Sequence, residues 1–88
     1  MNMEELRKEI DKIDDEIINL LGKRKNLVKI IAGLKKESNK PTEDKSREQQ
    51  IIERLKELSK KYSLDENFVA ALYQVILKNS KEEQEKWK

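Results

Sequence analysis

Residues 6–35 read LRKEIDKIDDEIINLLGKRKNLVKIIAGLK, and the spacing of apolar side chains in that stretch decides the fold. Leu6, Ile10, Ile13, Ile17, Leu20, Leu27, Ile31 and Leu34 follow in steps of four and three, with Arg24 where the pattern asks for an aliphatic residue. This is the a/d spacing of a helix that packs along a single seam. Gly22 and Gly33 each cost about 1 kcal/mol against alanine but leave the register intact. The spacing predicts one helix from residue 3 to residue 37.

Working outward, Ser38-Asn39-Lys40-Pro41-Thr42 interrupts the pattern, because Pro41 cannot lie inside a helix and pushes Lys40 out of helical geometry. A second helix is expected to start at Asp44 to Ser46 and to carry Ile51, Ile52, Leu55 and Leu58 on one side, ending at Lys60-Lys61-Tyr62-Ser63. Asp65 is a good N-cap for a third helix, with Leu64 and Val69 placed as a hydrophobic staple. That helix presents Phe68, Val69, Leu72, Val75 and Ile76, then Ser80, Gln84 and Trp87. No strand pattern or internal repeat occurs, so the expectation is an all-α fold, three helices in one domain over residues 1–88.

Length then implies a partner. The first helix is roughly 50 Å long at 1.5 Å per residue, and the other two, of about 15 and 22 residues, must fold back near its far end. They cannot cover its whole seam, and an exposed apolar seam of that size marks an association surface. The expectation is an intertwined homodimer, with the long helices antiparallel about a two-fold axis near residue 18.

Composition removes several kinds of chemistry. The chain has no cysteine, hence no disulfide, thiolate nucleophile or thiolate metal site, and no histidine, the commonest general base and metal ligand. Neither a cofactor nor a metal is expected. Charged residues make up 43% against 35% hydrophobic, but a net charge of +2 and helical periodicity argue against disorder. Both signs of charge are interleaved, and Tyr62, Phe68, Tyr73 and Trp87 lie in no basic cluster, which speaks against nucleic-acid binding. The start is not a signal peptide and no apolar run is long enough for a membrane span, so a cytoplasmic protein is expected. With no further segment in the sequence, a stand-alone protein is expected rather than a fused domain.

Among 20 basic residues only Arg7, Arg24, Arg47 and Arg54 are arginine, the side chain suited to bidentate carboxylate or phosphate contacts. Arg24 alone would pass for a register-setting polar residue or a snorkelling surface cation. Lys35 changes the balance: it lies 11 residues on, about 20° around the helix and ~16 Å along it. Val28 and Ile31 lie between, so a cation stands at each end of a short apolar floor. Arg7 is some 25 Å from Arg24 within one helix. In the antiparallel dimer, however, the partner's Arg7 falls opposite residue 29, between Arg24 and Lys35. Asp44, Arg47 and Glu48 form a charged group at the second helix start, which ordinary capping also explains. Ser80 and Gln84 lie one turn apart on the third helix, at what is otherwise a solvated polar end.

Taken together, Leu6-Arg7-Lys8-Glu9-Ile10-Asp11 through Asp14, Leu20-Leu21-Gly22-Lys23-Arg24, Lys35, Pro41-Thr-Glu-Asp44-Lys-Ser-Arg47-Glu48 and Gln74 to Gln84 resemble the all-helical chorismate mutases, the AroQ class. The resemblance covers essentially the whole chain. It implies an intertwined three-helix homodimer, with two sites, that converts the dianion chorismate to prephenate in aromatic amino acid biosynthesis. It implies that Arg24 and Arg7 of the partner subunit bind the two carboxylates, helped by Ser80, with Arg47 adding a direct or water-mediated contact. It also implies that Lys35 and Gln84 donate to the ether oxygen of the breaking bond, and that Glu48 accepts from the ring hydroxyl near the backbone N–H of Asp44. The floor residues would be Val28, Ile31, Ile51 and Leu77. An intramolecular Claisen rearrangement asks only for a compact reactive conformer and donors aimed at the developing charge, which a chain without His or Cys can supply. Two rivals remain: an isochorismate pyruvate lyase on the same fold, and a non-catalytic helical dimerisation module.

Overall fold

The computed structural model describes residues 1–87; Lys88 lies outside the described residues. Three helices follow in order: α1 over Met3–Glu37, α2 over Lys45–Lys61 and α3 over Glu66–Lys86. All three fall where apolar period and capping residues put them. Asn2 opens α1 with a capping box: its side chain accepts from the Glu5 N–H at 2.9 Å, and the Glu5 carboxylate accepts from the Asn2 N–H. Asp44 accepts from the Arg47 N–H at 2.9 Å to start α2, and Asp65 from the Asn67 N–H at 2.8 Å to start α3.

Both interhelical turns are made without glycine. Asn39 (φ 56°) and Ser63 (φ 55°) take the left-handed conformation. The following N–H groups reach back, Lys40 to the Lys35 carbonyl and Leu64 to the Ser59 carbonyl, both at 2.8 Å. Each is the six-to-one bond of a Schellman stop. Asparagine tolerates this backbone well; at Ser63 the same conformation costs roughly 1–2 kcal/mol.

Helix α3 is the central element, packing on the C-terminal half of α1 and on α2. Val28 and Ala32 of α1, Leu55 of α2 and Val69 of α3 form the small buried apolar core. Ser59 is buried with them, its hydroxyl donating back to the Leu55 carbonyl at 2.7 Å. The rest of α1 projects away, giving extents of 55 × 24 × 16 Å.

Every residue from 1 to 23 is exposed, and the seam positions Leu6, Ile10, Ile13, Ile17 and Leu20 retain 48–60% of their surface. The face expected of α3 is buried only in part. Val69, Ser80 and Gln84 are covered, whereas Phe68, Leu72, Val75 and Trp87 are 45–68% exposed within one chain. Periodicity identifies an apolar face but not what covers it. No described helix is long and apolar enough to cross a membrane.

Candidate active site

Where α3 crosses α1 and α2 begins, the three elements line an open cleft of about 440 Å³. Its floor is Leu27, Val28, Ile31, Ile51 and Leu77, and its polar rim is Arg24, Lys35, Thr42, Asp44, Arg47, Glu48, Ser80, Lys81 and Gln84. Seven of the eight residues singled out from sequence therefore share one cavity. Arg7 does not: it is exposed on the free half of α1, some 25 Å along the axis from Arg24.

Spacing explains the convergence. Arg24, Val28, Ile31 and Lys35 succeed one another at steps of four and three, so they line one side of α1. Ser80 and Gln84 are one turn apart on α3 and both are buried at about a tenth or less of their free surface. The Asp44 cap anchors the first turn of α2, placing Arg47 and Glu48 at the mouth.

The hydrogen bonds settle several orientations. Arg24 donates from Nη1 to the Ser80 hydroxyl oxygen, while that hydroxyl's single proton goes to the Ile76 carbonyl at 2.9 Å. Ser80 thus serves in this chain as the acceptor that aims the Arg24 guanidinium. Lys35 Nζ donates to the Thr42 carbonyl at 2.6 Å and to Gln84 Oε1 at 2.8 Å. An ammonium can only donate, so the oxygen of the Gln84 amide must face Lys35. Both N–H bonds of that amide are left to point elsewhere, and one N–H of Lys35 remains for a further acceptor. Among the described residues the Asp44 N–H also meets no protein acceptor.

Electrostatically the cleft favours anions. Among the described residues no carboxylate lies within 4 Å of Arg24, Lys35 or Arg47, so three full positive charges surround an apolar floor. Of the acids at the rim, Glu48 is engaged by Lys81 at 2.7 Å, and Asp44 is occupied in capping α2. The Glu48 hydrogen bond raises the Lys81 pKa above the ordinary lysine value, against a smaller desolvation effect.

Two rim residues have no distinct sequence signal. Thr42 takes part through a backbone carbonyl, and its hydroxyl donates to Glu85. Lys81 sits in the polar run Lys81-Glu82-Glu83, which reads as solvated surface; only the packing of α2 on α3 reveals its partner. Arg54, which reads as surface, lines a smaller cavity of about 140 Å³ that adjoins the cleft, together with Arg24, Arg47 and Tyr73.

Comparison with known proteins places this architecture. Residues 6–85 match the family described as chorismate mutase type II. A chorismate mutase from Methanocaldococcus jannaschii is 35% identical over 77 residues, covering 88% of this chain and 78% of that protein. A bifunctional chorismate mutase/prephenate dehydratase from Buchnera aphidicola subsp. Schizaphis graminum is 43% identical over 74 residues, 84% of this chain but only 19% of that longer protein. Among solved structures, a conserved hypothetical protein from Pyrococcus furiosus superposes with a TM-score of 0.73 at 39% identity, covering 93% of both chains.

Proposed function

The chain belongs to the chorismate mutase type II family, and on that premise we propose that the cleft between its three helices is the site where chorismate becomes prephenate. The observation that carries this reading is the set of three cations, Arg24, Lys35 and Arg47, that meet no carboxylate among the described residues and rim a cleft of about 440 Å³ with an apolar floor. The substrate is a dianion with an apolar ring, and the cleft offers complementary surfaces to both features.

In the rearrangement one C–O ether bond breaks as one C–C bond forms within the same molecule, and no proton, electron or leaving group is exchanged with the protein. The residues therefore hold and polarise. Arg24, aimed by Ser80, takes one carboxylate, and Arg47 adds positive potential at the mouth. Negative charge grows on the ether oxygen as the bond lengthens, and the free N–H groups of Lys35 and Gln84 stabilise it there. Donors fixed before the reaction stabilise that charge without reorganising, and each is typically worth 10²–10³ in kcat. Glu48 accepts from the ring hydroxyl, and the Asp44 N–H is available beside it. Substrate and the partner's helix would cover the exposed floor residues Leu27 and Ile31, excluding water and strengthening each contact.

The second carboxylate needs a further cation, and Arg7 of the partner subunit supplies it in a homodimer whose α1 helices run antiparallel. The uncovered seam of Leu6, Ile10, Ile13, Ile17 and Leu20 supports that assembly. We assign the enzyme to the cytoplasm, with no nucleic acid or membrane among its partners.

The direct test supplies chorismate to the purified protein and follows its loss together with prephenate formation, with Arg24→Ala as control and isochorismate as a parallel substrate. Prephenate from the parent and at least 10²-fold less from the variant is the expected result. Salicylate from isochorismate with no prephenate from chorismate would transfer the site to lyase chemistry. Turnover unaffected by Arg24→Ala would move it out of this cleft.

A further inference from the structure

The cleft holds a fourth cation, and it differs from the other three in being occupied. Lys81 follows Ser80 on α3, and its Nζ lies 2.7 Å from Glu48 Oε1 and 3.7 Å from Glu43 Oε1. Its side chain is 41% exposed and that of Glu48 only 26%, so the pair sits at the rim with the carboxylate on the inner side.

Without that pairing Glu48 would be a liability. It is a long, flexible carboxylate in a cavity with three cations, Arg24, Lys35 and Arg47, that no carboxylate among the described residues neutralises. Attraction would draw it towards one of them, away from the place where it meets the substrate's ring hydroxyl. Lys81 removes that option. An ammonium is a compact point donor rather than a fork, so it holds one carboxylate oxygen and leaves the other unengaged.

We propose that Lys81 is a positioning residue: it fixes Glu48 at the wall of the cleft, with one oxygen bound and the other available to the substrate's ring hydroxyl. The proposal rests on the reading that Glu48 accepts from that hydroxyl. It adds a residue on α3 that acts on substrate only through a residue on α2, so its effect depends on one substrate group.

The test compares the parent with Lys81→Met, Lys81→Arg, Glu48→Gln and the double variant Lys81→Met/Glu48→Gln. Each is assayed on chorismate and on the analogue that lacks the ring hydroxyl but keeps the reacting atoms. Lys81→Met is expected to lower kcat/KM for chorismate about tenfold, as loss of an oriented charge-assisted hydrogen bond does. Lys81→Arg recovers only part of the lost activity, because a guanidinium fork can engage both oxygens of Glu48. In the Glu48→Gln background Lys81→Met has little further effect, because the two act as one unit. On the analogue, Lys81→Met and parent agree within about twofold, a split that a general structural or charge effect would not give.

An equal loss on both substrates, or full additivity in the double variant, would overturn the proposal. So would parent-like turnover of chorismate by Lys81→Met when Glu48→Gln is impaired, and that outcome leaves the Glu48 reading standing. Unchanged turnover by Glu48→Gln would remove both residues from the chemistry. Thermal melts of all variants complete the set, since a half-exposed rim position such as Lys81 should leave folding intact.

Discussion

Replacing Gln84 by glutamate tests the chemistry at the ether oxygen, because it alters one atom and leaves the shape of the side chain almost unchanged. In the parent, Gln84 Oε1 accepts from Lys35 at 2.8 Å, which leaves the amide N–H groups as donors that do not titrate. A carboxylate in their place donates only when protonated. With an ordinary glutamate pKa of about 4.3, roughly 1 in 500 molecules carries that proton at pH 7 and about 1 in 6 at pH 5. Two features of the site act on that balance in opposite senses. Burial of position 84, 9% exposed, favours the neutral acid, and the Lys35 ammonium favours the anion. The expected kcat of Gln84→Glu at pH 7 is therefore lower than the parent's by about two orders of magnitude or more. It should rise by about 80-fold between pH 7 and pH 5, close to tenfold per unit over most of that range. The parent, whose donor is permanent, should vary far less over the same interval. Gln84→Ala provides the control: it removes the donor at every pH and should show no acid activation. The assay is steady-state loss of chorismate at saturating substrate from pH 4.5 to 8. A Gln84→Glu enzyme within twofold of the parent at pH 7, or one whose profile stays flat below it, would refute the assignment of Gln84 to the developing charge.

Three further outcomes follow from the same geometry. Lys35→Ala should lower kcat by about 10²–10³-fold, while loss of its bond to the Thr42 carbonyl lowers stability by only about 1 kcal/mol, separable by a chemical melt. Ile17→Glu places a charge on the uncovered seam near the proposed two-fold axis. Sedimentation should show a dimer for the parent and a monomer for the variant, and the monomer should be inactive because Arg7 no longer reaches a site. Gly33→Ala meets no atom within 4 Å in the chain and lies inside α1, so it should stabilise by up to about 1 kcal/mol, several degrees in Tm. A destabilised Gly33→Ala would instead indicate that the partner helix packs closely there.

The parts of this molecule that were legible in its sequence are those fixed by short-range rules. Pro41, Asp44 and Asp65 mark where helices stop and start, and Arg24, Lys35, Ser80 and Gln84 share faces because their separations are near-integral numbers of turns. The capping box of Asn2 and Glu5 obeys the same kind of rule and is readable as an Asn-x-x-Glu signal before an apolar period. What was not legible depends on tertiary placement. Lys81 and Glu48 are 33 residues apart on two helices whose mutual packing no local pattern specifies. Thr42 contributes a carbonyl, which every residue has. Arg54 shares a cavity with Arg24 and Arg47 only once α1, α2 and α3 are packed together. Likewise the exposure of Phe68, Leu72 and Val75 follows from which faces the other two helices are long enough to reach.

The claim that joins fold to function is that each site draws Arg24 from one chain and Arg7 from the other. Mixing two inactive variants tests it. Arg7→Ala and Arg24→Ala homodimers each lack one clamp in both sites. A heterodimer has one site with both arginines and one with neither. After unfolding and refolding a 1:1 mixture, half the dimers are mixed and each carries one of two intact sites, so about a quarter of the parental activity should return. Activity that stays at the level of the separate variants would contradict a site shared between subunits, and would leave Arg7 as ordinary surface.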